Sequence, residues 1–459
     1  MADEPDRDDD ADDLLDALRD LFAGGGQVDP ARLAGLPGMP SDPALVSRLI
    51  QQLQQALEHS GDGIDWGLAL EQATLLAGRS AVPATPGEHS AFEQALHVAS
   101  LWLDEATDIA SLTAAPALLT RAGWAEATMP VWTQLAEPVA TSIADALTEV
   151  VDDQLGDQLE GGIPGMAGLP GLPPGVDPAS MLRNVGGTLF AMQLGQVVGQ
   201  LATEAVSGGD VGIPLLDGES RQAALVPQNV DAFGAGLDIP IDEVRLYLAV
   251  RELAHARLFR QARWLRLQLL TQIADFARGI HVDTERITEL AEQFDPSNPE
   301  ELRAAVTNGA FLPEKTEEQK LALSRLETML ALIEGWVDVV TAQATSRLPK
   351  GGAIAESVRR RRATGGPAEQ AFATLVGLEL RPRRLREAAA MWQAVADAAG
   401  PAARDALWAH PDVLPGDADI DDPAALVARV TGGEPEPDDV DRALEELLGD
   451  ESGDRPHEE

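Results

Sequence analysis

Cysteine is absent from all 459 residues. That excludes disulfides, thiolate nucleophiles, zinc sites built on cysteine and cysteine-ligated iron–sulfur clusters. Long apolar runs are missing as well. The most apolar stretch, Gly186 to Val206, is interrupted by Gln193, Gln196, Gln200 and Glu204, so no membrane span is expected. The amino terminus, MADEPDRDDDADDLLDALRDLF, lacks the cationic start and apolar core of a secretory signal. With no cysteine to oxidise, the expected location is the cytoplasm. Three common catalytic signatures are also missing: there is no P-loop, no GxSxG nucleophile elbow and no GxGxxG set between a strand and a helix.

Positive charge is scarce. The formal net charge is -42, with ten acids against two Arg in the first 20 residues and twelve against two in 433–459. Such a chain repels nucleic-acid phosphate unless it carries a segregated basic face. The local candidates are Arg359 to Arg362 and the group Arg381, Arg383, Arg384 and Arg386. Both are read as solvated helix faces paired with nearby acids, and no nucleic-acid partner is expected.

What is present is enough apolar residue, 44%, to bury a sizeable core in two or three domains, or in one domain with arms. Residues 1–40 read as an acidic flexible arm with one short amphipathic stripe. From 41 to 160 apolar residues recur at helical spacing, as in Leu45, Leu49, Leu53, Leu57 and in Phe92, Leu96, Ala99, Leu103. Pro130 and Pro138 are expected to break that pattern before a further helix from about Thr141 to Leu155. The stretch 161–178, GGIPGMAGLPGLPPGVDP, reads as a mobile loop. Residues 179–430 form a second helical region, in which Gly186, Gly187, Gly195 and Gly199 would let another helix approach closely. Gln222 to Val226 is the best short strand, and 431–459 is an acidic tail.

The segment most informative about chemistry is DEVRLYLAVRELAHARLFRQARWLRLQLL, Asp242 to Leu270. An HExxH zinc site needs two His at i and i+4 on one helix face, with the Glu beside the first acting on metal-bound water. Here the string is RELAH. Glu252 and His255 stand at the base and second-ligand positions, while Arg251 stands at the first-ligand position. A guanidinium has no acceptor lone pair and stays protonated, so Arg251 is not a zinc ligand. On spacing alone, His255 is a packed or hydrogen-bonded residue and Glu252 pairs with a neighbouring Arg.

Several segments, in order, resemble one family: GQVVGQLATEAVSGG (Gly195 to Gly209), LVPQN (Leu225 to Asn229), RELAHARLF, LIEGWVD (Leu332 to Asp338), GLEL and LWAHPDVLP. Together they are similar to the actinobacterial zincin-like metallopeptidases, over roughly Met181 to Val430. The resemblance implies a mainly α, zincin-like helical core with few short strands and disordered acidic termini. It also implies a zinc hydrolase site that joins HExxH to an acid in an EGH-like string on a later helix. That acid matches Glu334, and Trp336 stands where the EGH histidine would be. The chain thus departs from the pattern twice. His255 and Glu334 remain as metal ligands, Glu252 as the catalytic base, and Arg251 and Trp336 as replacements. Two protein ligands are fewer than the three of an ordinary catalytic zinc site.

Two readings stand side by side. In one, Arg251 takes the place of the metal in a buried, bidentate ion pair with Glu334 or Glu252. The protein then carries no cofactor and serves as a scaffold for a protein or peptide partner. In the other, a non-standard third ligand restores zinc and the protein is a metal-dependent peptidase or related hydrolase. His281 with Asp283 and Glu285 is one downstream source of ligands. A third possibility, a regulatory interaction protein that uses its acidic arms or the Met/Pro/Gly loop, is compatible with either. Nothing in the sequence fixes the oligomeric state.

Overall fold

The computed structural model describes residues 64–160, 178–216, 222–278, 315–364 and 383–432, with Gln370, Ala373, Gly377 and Leu378. The acidic arm, the 161–177 stretch, the Leu45 to Leu57 pattern, His281, Asp283, Glu285 and the acidic tail lie outside them. Among the described residues the fold is mainly α, with only two two-residue strands.

The amino-terminal helices are set by explicit caps. Helix α1 (Trp66–Gly78) starts at Asp65, whose carboxylate accepts from the Gly67 amide at 2.9 Å. Helix α2 (Pro86–Asp104) starts at a capping box of Thr85 and Glu88, with a proline in its first turn. Its buried stripe is the one the spacing predicts: Phe92, Leu96, Ala99 and Leu103.

Helix α3 runs unbroken over Arg121–Glu160, with Pro130 and Pro138 inside it, so the expected break does not occur. A helical proline frees the carbonyl four residues earlier. Those carbonyls belong here to Glu126 and Gln134, both exposed, where water can satisfy them. Trp124, Trp132, Leu135 and Val139 are meanwhile buried on the opposite face. The stripe that packs outweighs the two lost hydrogen bonds.

Helix α4 (Pro178–Glu204) lies against α1, and its glycines explain how closely. A Cβ at Gly195 would meet the Ala69 carbonyl at 2.5 Å, and one at Gly199 would meet Leu76 Cβ at 2.9 Å. After α4, β2 (Ala224–Leu225) pairs in parallel with β1 (Ala117–Leu118), and Ser207 bridges Leu225 on the other side. The strand read from Gln222 to Val226 is therefore real but shorter. Helix α5 (Pro227–Ala235) follows. Asn229, from the LVPQN string, donates to the carbonyls of Ala202 and Ala205 at 2.9 and 2.6 Å and accepts from Arg121 at 2.7 Å.

Helix α6 (Ile241–Gln261) is the centre of the molecule. Every residue from Tyr247 to Leu258 is buried, because α2, α8 and α9 surround it together with β2. Helix α7 (Arg263–Arg278) leaves it through Ala262. Helix α8 (Glu317–Ala344), opened by a capping box of Thr316 and Gln319, is buried throughout from Met329 to Thr341. Helices α9 (Gly351–Thr364) and α10 (Leu385–Ala406) cover the far side, α10 with a kink at Gly400 and Pro401. Helices α11 (Asp417–Asp421) and α12 (Pro423–Thr431) close the array.

The α1–α4 contact makes a direct prediction. Gly195→Ala forces a methyl against backbone and is expected to destabilise the protein by about 1–3 kcal/mol. Gly352→Ala, at an exposed position with nothing within 4 Å of the added carbon, should stabilise by about 0.5 kcal/mol. Urea unfolding of both variants checks the contrast, and equal midpoints would contradict the close packing.

Candidate functional site

A charge on a buried helix needs a partner, and Arg257, Glu252 and Arg251 of α6 each reach a different neighbour. Arg257 donates to Asp104 at 2.7 Å and to the Ser100 carbonyl and hydroxyl at 3.1 and 3.0 Å, tying α6 to α2. Glu252 accepts the Ala224 amide on one carboxylate oxygen at 2.9 Å and the Gly209 amide on the other at 3.0 Å. The Ser207 hydroxyl also hydrogen-bonds it. Arg251 is hydrogen-bonded through Nη2 to Oε2 of Glu334, a residue with no solvent exposure on α8.

The two residues that the EGH-like string places two apart, Glu334 and Trp336, point to different places. Glu334 faces Arg251, and Arg362 of α9 brings a second guanidinium, its Nε 3.7 Å from Glu334 Oε2. Trp336 turns instead to Asp405, donating from Nε1 at 2.9 Å. Asp405 also accepts from Arg404 Nε at 2.7 Å, the Thr107 hydroxyl at 2.6 Å and the Asp108 amide at 3.0 Å. Trp336 further meets Trp408 edge to face at 6.5 Å, and Trp392 stacks on Trp408 at 5.4 Å. Trp336 thus belongs to a separate structural cluster. The structure brings Arg251, Glu252, His255 and Glu334 together, and adds Arg362, Asp405, Ser207 and Gly209 to the residues singled out above. Ser207 and Gly209 lay inside the quoted GQVVGQLATEAVSGG string and Arg362 inside the Arg359 to Arg362 group, but none of them was read as part of this site; Asp405 lay in no quoted string.

The expected ion pair forms with Glu334, not Glu252, and it is not bidentate: Glu334 Oε1 has no hydrogen-bond partner. Both guanidiniums approach Oε2. Burial works against a charged Arg251, but Glu334, Tyr247 and Asp338 outweigh it and hold its pKa above the ordinary arginine value. Burial also disfavours the Glu334 carboxylate, yet Arg251 and Arg362 prevail and hold its pKa below the usual range. Burial pushes His255 down to about 4, against the attraction of Glu334 and with the help of Arg251. The imidazole is therefore neutral at pH 7, and its Nε2 has no hydrogen-bond partner. Burial pushes Glu252 up, against the hydrogen bonds from Ala224, Ser207 and Gly209.

Glu252 and His255 form part of the wall of a cleft of about 620 Å³, lined also by Gly208, Gly209, Leu216, Phe259 and Arg260. Neither Arg251 nor Glu334 lines it. The ring of Phe259 lies 4.8 Å from that of His255, tilted by 47°.

These residues do not fit a catalytic zinc ion. The donor set is one imidazole and one carboxylate, and the carboxylate is already engaged by a cation. Among the described residues no group of three or more His, Cys, Asp or Glu could hold a metal. At an effective dielectric of 20, a dication 4 Å from one guanidinium is repelled by about 8 kcal/mol, and here two guanidiniums flank the carboxylate.

The comparisons with known proteins follow this geometry. The family model of the zincin-like metallopeptidases matches residues 64–427. It starts well before Met181, so the helices between residues 64 and 160, which carry none of the motifs quoted above, are part of the same match. The fold is similar to a crystal structure of a candidate hydrolase with a novel fold from Chloroflexus aurantiacus, at 19% identity and a TM-score of 0.54, over 81% of this chain and 100% of that one. No curated protein matches the sequence.

Removing Arg251 should leave the Glu334 carboxylate buried with only the more distant Arg362. Arg251→Ala is expected to cost about 3 kcal/mol or more, and Arg251→Met with Glu334→Leu to recover most of it; urea midpoints check both. The pH dependence follows from the signs. The folded His255 refuses a proton that the unfolded chain takes up below about 6.5. Stability is therefore lost as pH falls from there to about 4. Glu334 adds a loss below the ordinary carboxylate value, whereas Glu252, with its raised pKa, works in the opposite sense. His255→Gln should flatten the slope between pH 6.5 and 4 by up to about 1.4 kcal/mol per pH unit, as read from urea midpoints across that range.

Proposed function

Because this chain belongs to the zincin-like metallopeptidase family, we propose that it is a member whose hydrolytic centre is replaced by an internal ion pair, and that it acts as a binding scaffold for a protein or peptide segment. The observation that carries this reading is the Arg251 guanidinium hydrogen-bonded to Glu334. It is a cation without lone pairs, set where the helix would otherwise present its first ligand, and it engages the acid from the later helix.

The role of Glu252 supports the same reading. A general base must present an oxygen to a water molecule. Both oxygens of Glu252 instead accept backbone amides, from Gly209 and Ala224. The carboxylate holds the 207–209 segment and β2 against α6, and so keeps one side of the cleft in place. With the metal position closed and the cleft retained, the molecule keeps the means to hold a segment and loses the means to cut it.

One observation favours the alternative, a metal-dependent hydrolase with a non-standard third ligand. His255 Nε2 and Glu334 Oε1, both acceptor-type atoms, lack hydrogen-bond partners. Elemental analysis of untagged protein separates the two. Wild type is expected to carry far less than one zinc per chain, and Arg251→His to bind zinc at least tenfold more tightly by competition with a chromogenic chelator. Stoichiometric zinc in wild type, lost in His255→Ala, would restore the hydrolase. Equal affinity in wild type and Arg251→His would mean that Arg251 is not what closes the site.

A further inference from the structure

The cleft beside Glu252 has a charge opposite to that of the chain. Arg260, Arg263 and Arg266 all line it, against the single carboxylate of Glu252. That carboxylate is turned to backbone amides, and His255, the other titratable group of the wall, is neutral at pH 7. The break at Ala262 between α6 and α7 brings arginines from both helices to the one cleft. Arg260 is fixed by donating to the Ser111 carbonyl at 2.7 Å, and Arg263 is exposed. Between them the wall is apolar, with Pro214, Leu215, Leu216 and Phe259.

Among the described lining residues Glu252 is the one carboxylate. At physiological ionic strength charges are screened beyond about 8 Å, so a ligand entering the cleft meets the arginines and not the net charge of -42. Guanidiniums grip carboxylates through paired N–H donors. The volume, about 620 Å³, lies in the usual range for ligand clefts. A nucleic acid would have to bring its long run of phosphates against the acidic remainder of the molecule, whereas a short peptide need not.

We infer that the cleft between α6, α7 and the 208–216 segment binds an acidic peptide segment, whose neighbouring carboxylates pair with Arg260 and Arg263 while its backbone lies along Leu216 and Phe259. This goes beyond the scaffold reading by naming the class of ligand, and it rests on that reading only in taking the cleft as a place where a segment is held.

Fluorescence anisotropy with a fluorescein-labelled hexaglutamate peptide tests it on the full chain. Binding should weaken steeply as salt rises from about 50 to about 300 mM. Arg263→Glu should weaken it at least tenfold, and Arg263→Lys should keep most of it. Arg386→Glu, an exposed arginine at the start of α10 paired with Glu356, should leave it unchanged, and melting temperatures should confirm that all three variants fold. No binding at low salt, or equal losses in Arg263→Glu and Arg386→Glu, would overturn the inference. Displacement by inorganic phosphate beyond that caused by chloride of equal ionic strength would also overturn it, by making the site one for phosphate. Because zinc content is measured separately, failure here leaves the scaffold reading standing, and zinc in the wild type would not by itself remove the acidic cleft.

Discussion

Helix α6 is buried from Tyr247 to Leu258, and the remaining architecture answers to that constraint. A helix so enclosed would ordinarily be apolar all round, yet this one carries Arg251, Glu252, His255 and Arg257. Each charge taken out of water demands a partner nearby, and the partners lie in three directions. Arg257 fixes α2, Glu252 fixes β2 and the 207–209 segment, and Arg251 fixes α8. The hydrophobic effect supplies the drive to bury the helix, and the ionic contacts decide how it is turned. A rotation about its axis by one residue would strand several charges at once.

The same contacts separate what the sequence discloses from what it does not. The mainly α class, the buried stripe of α2 and the close approach at Gly195 and Gly199 were all legible, because each depends on local spacing. That a guanidinium, which has no lone pair to offer a metal, stands at the first position of RELAH was legible too, since one residue type decides it. The prolines of α3 misled because their cost depends on which face they occupy, and only packing sets the face. The partner of Arg251 was narrowed to two acids but not chosen. Arg362 was read with its neighbours as part of a solvated face and is instead buried beside Glu334, Ser207 lay in a quoted string without a role, and Asp405 was missed, because their partners lie far along the chain.

The two arginine-rich groups illustrate the point further. Arg359 pairs with Asp338 and Glu356, Arg361 with Asp210, Arg383 with Glu327, and Arg384 with Glu387, Asp417 and Asp421. They look alike in sequence, yet Arg362 sits inside the core beside Glu334 while Arg386 is exposed with Glu356. Conversely, Arg260, Arg263 and Arg266 form no obvious block in the sequence but line one cleft. Proximity along the chain is a poor guide to where charge accumulates in a helical array, because a helix sends successive residues to different sides.

Asp405 gathers donors from opposite ends of the described chain: Thr107 and Asp108 from just after α2, Trp336 from α8 and Arg404 beside it. Arg404 in turn reaches the Ala106 carbonyl at 2.9 Å. The polypeptide is in effect buckled into a ring, with its clasp nearly three hundred residues around the circumference. The segment from α10 onward is accordingly no appendage, since removing it would open a seam beside the tryptophan stack and expose the rear of α8. Until the chain has been made as far as Asp405, α8 and the segment after α2 lack the carboxylate that joins them.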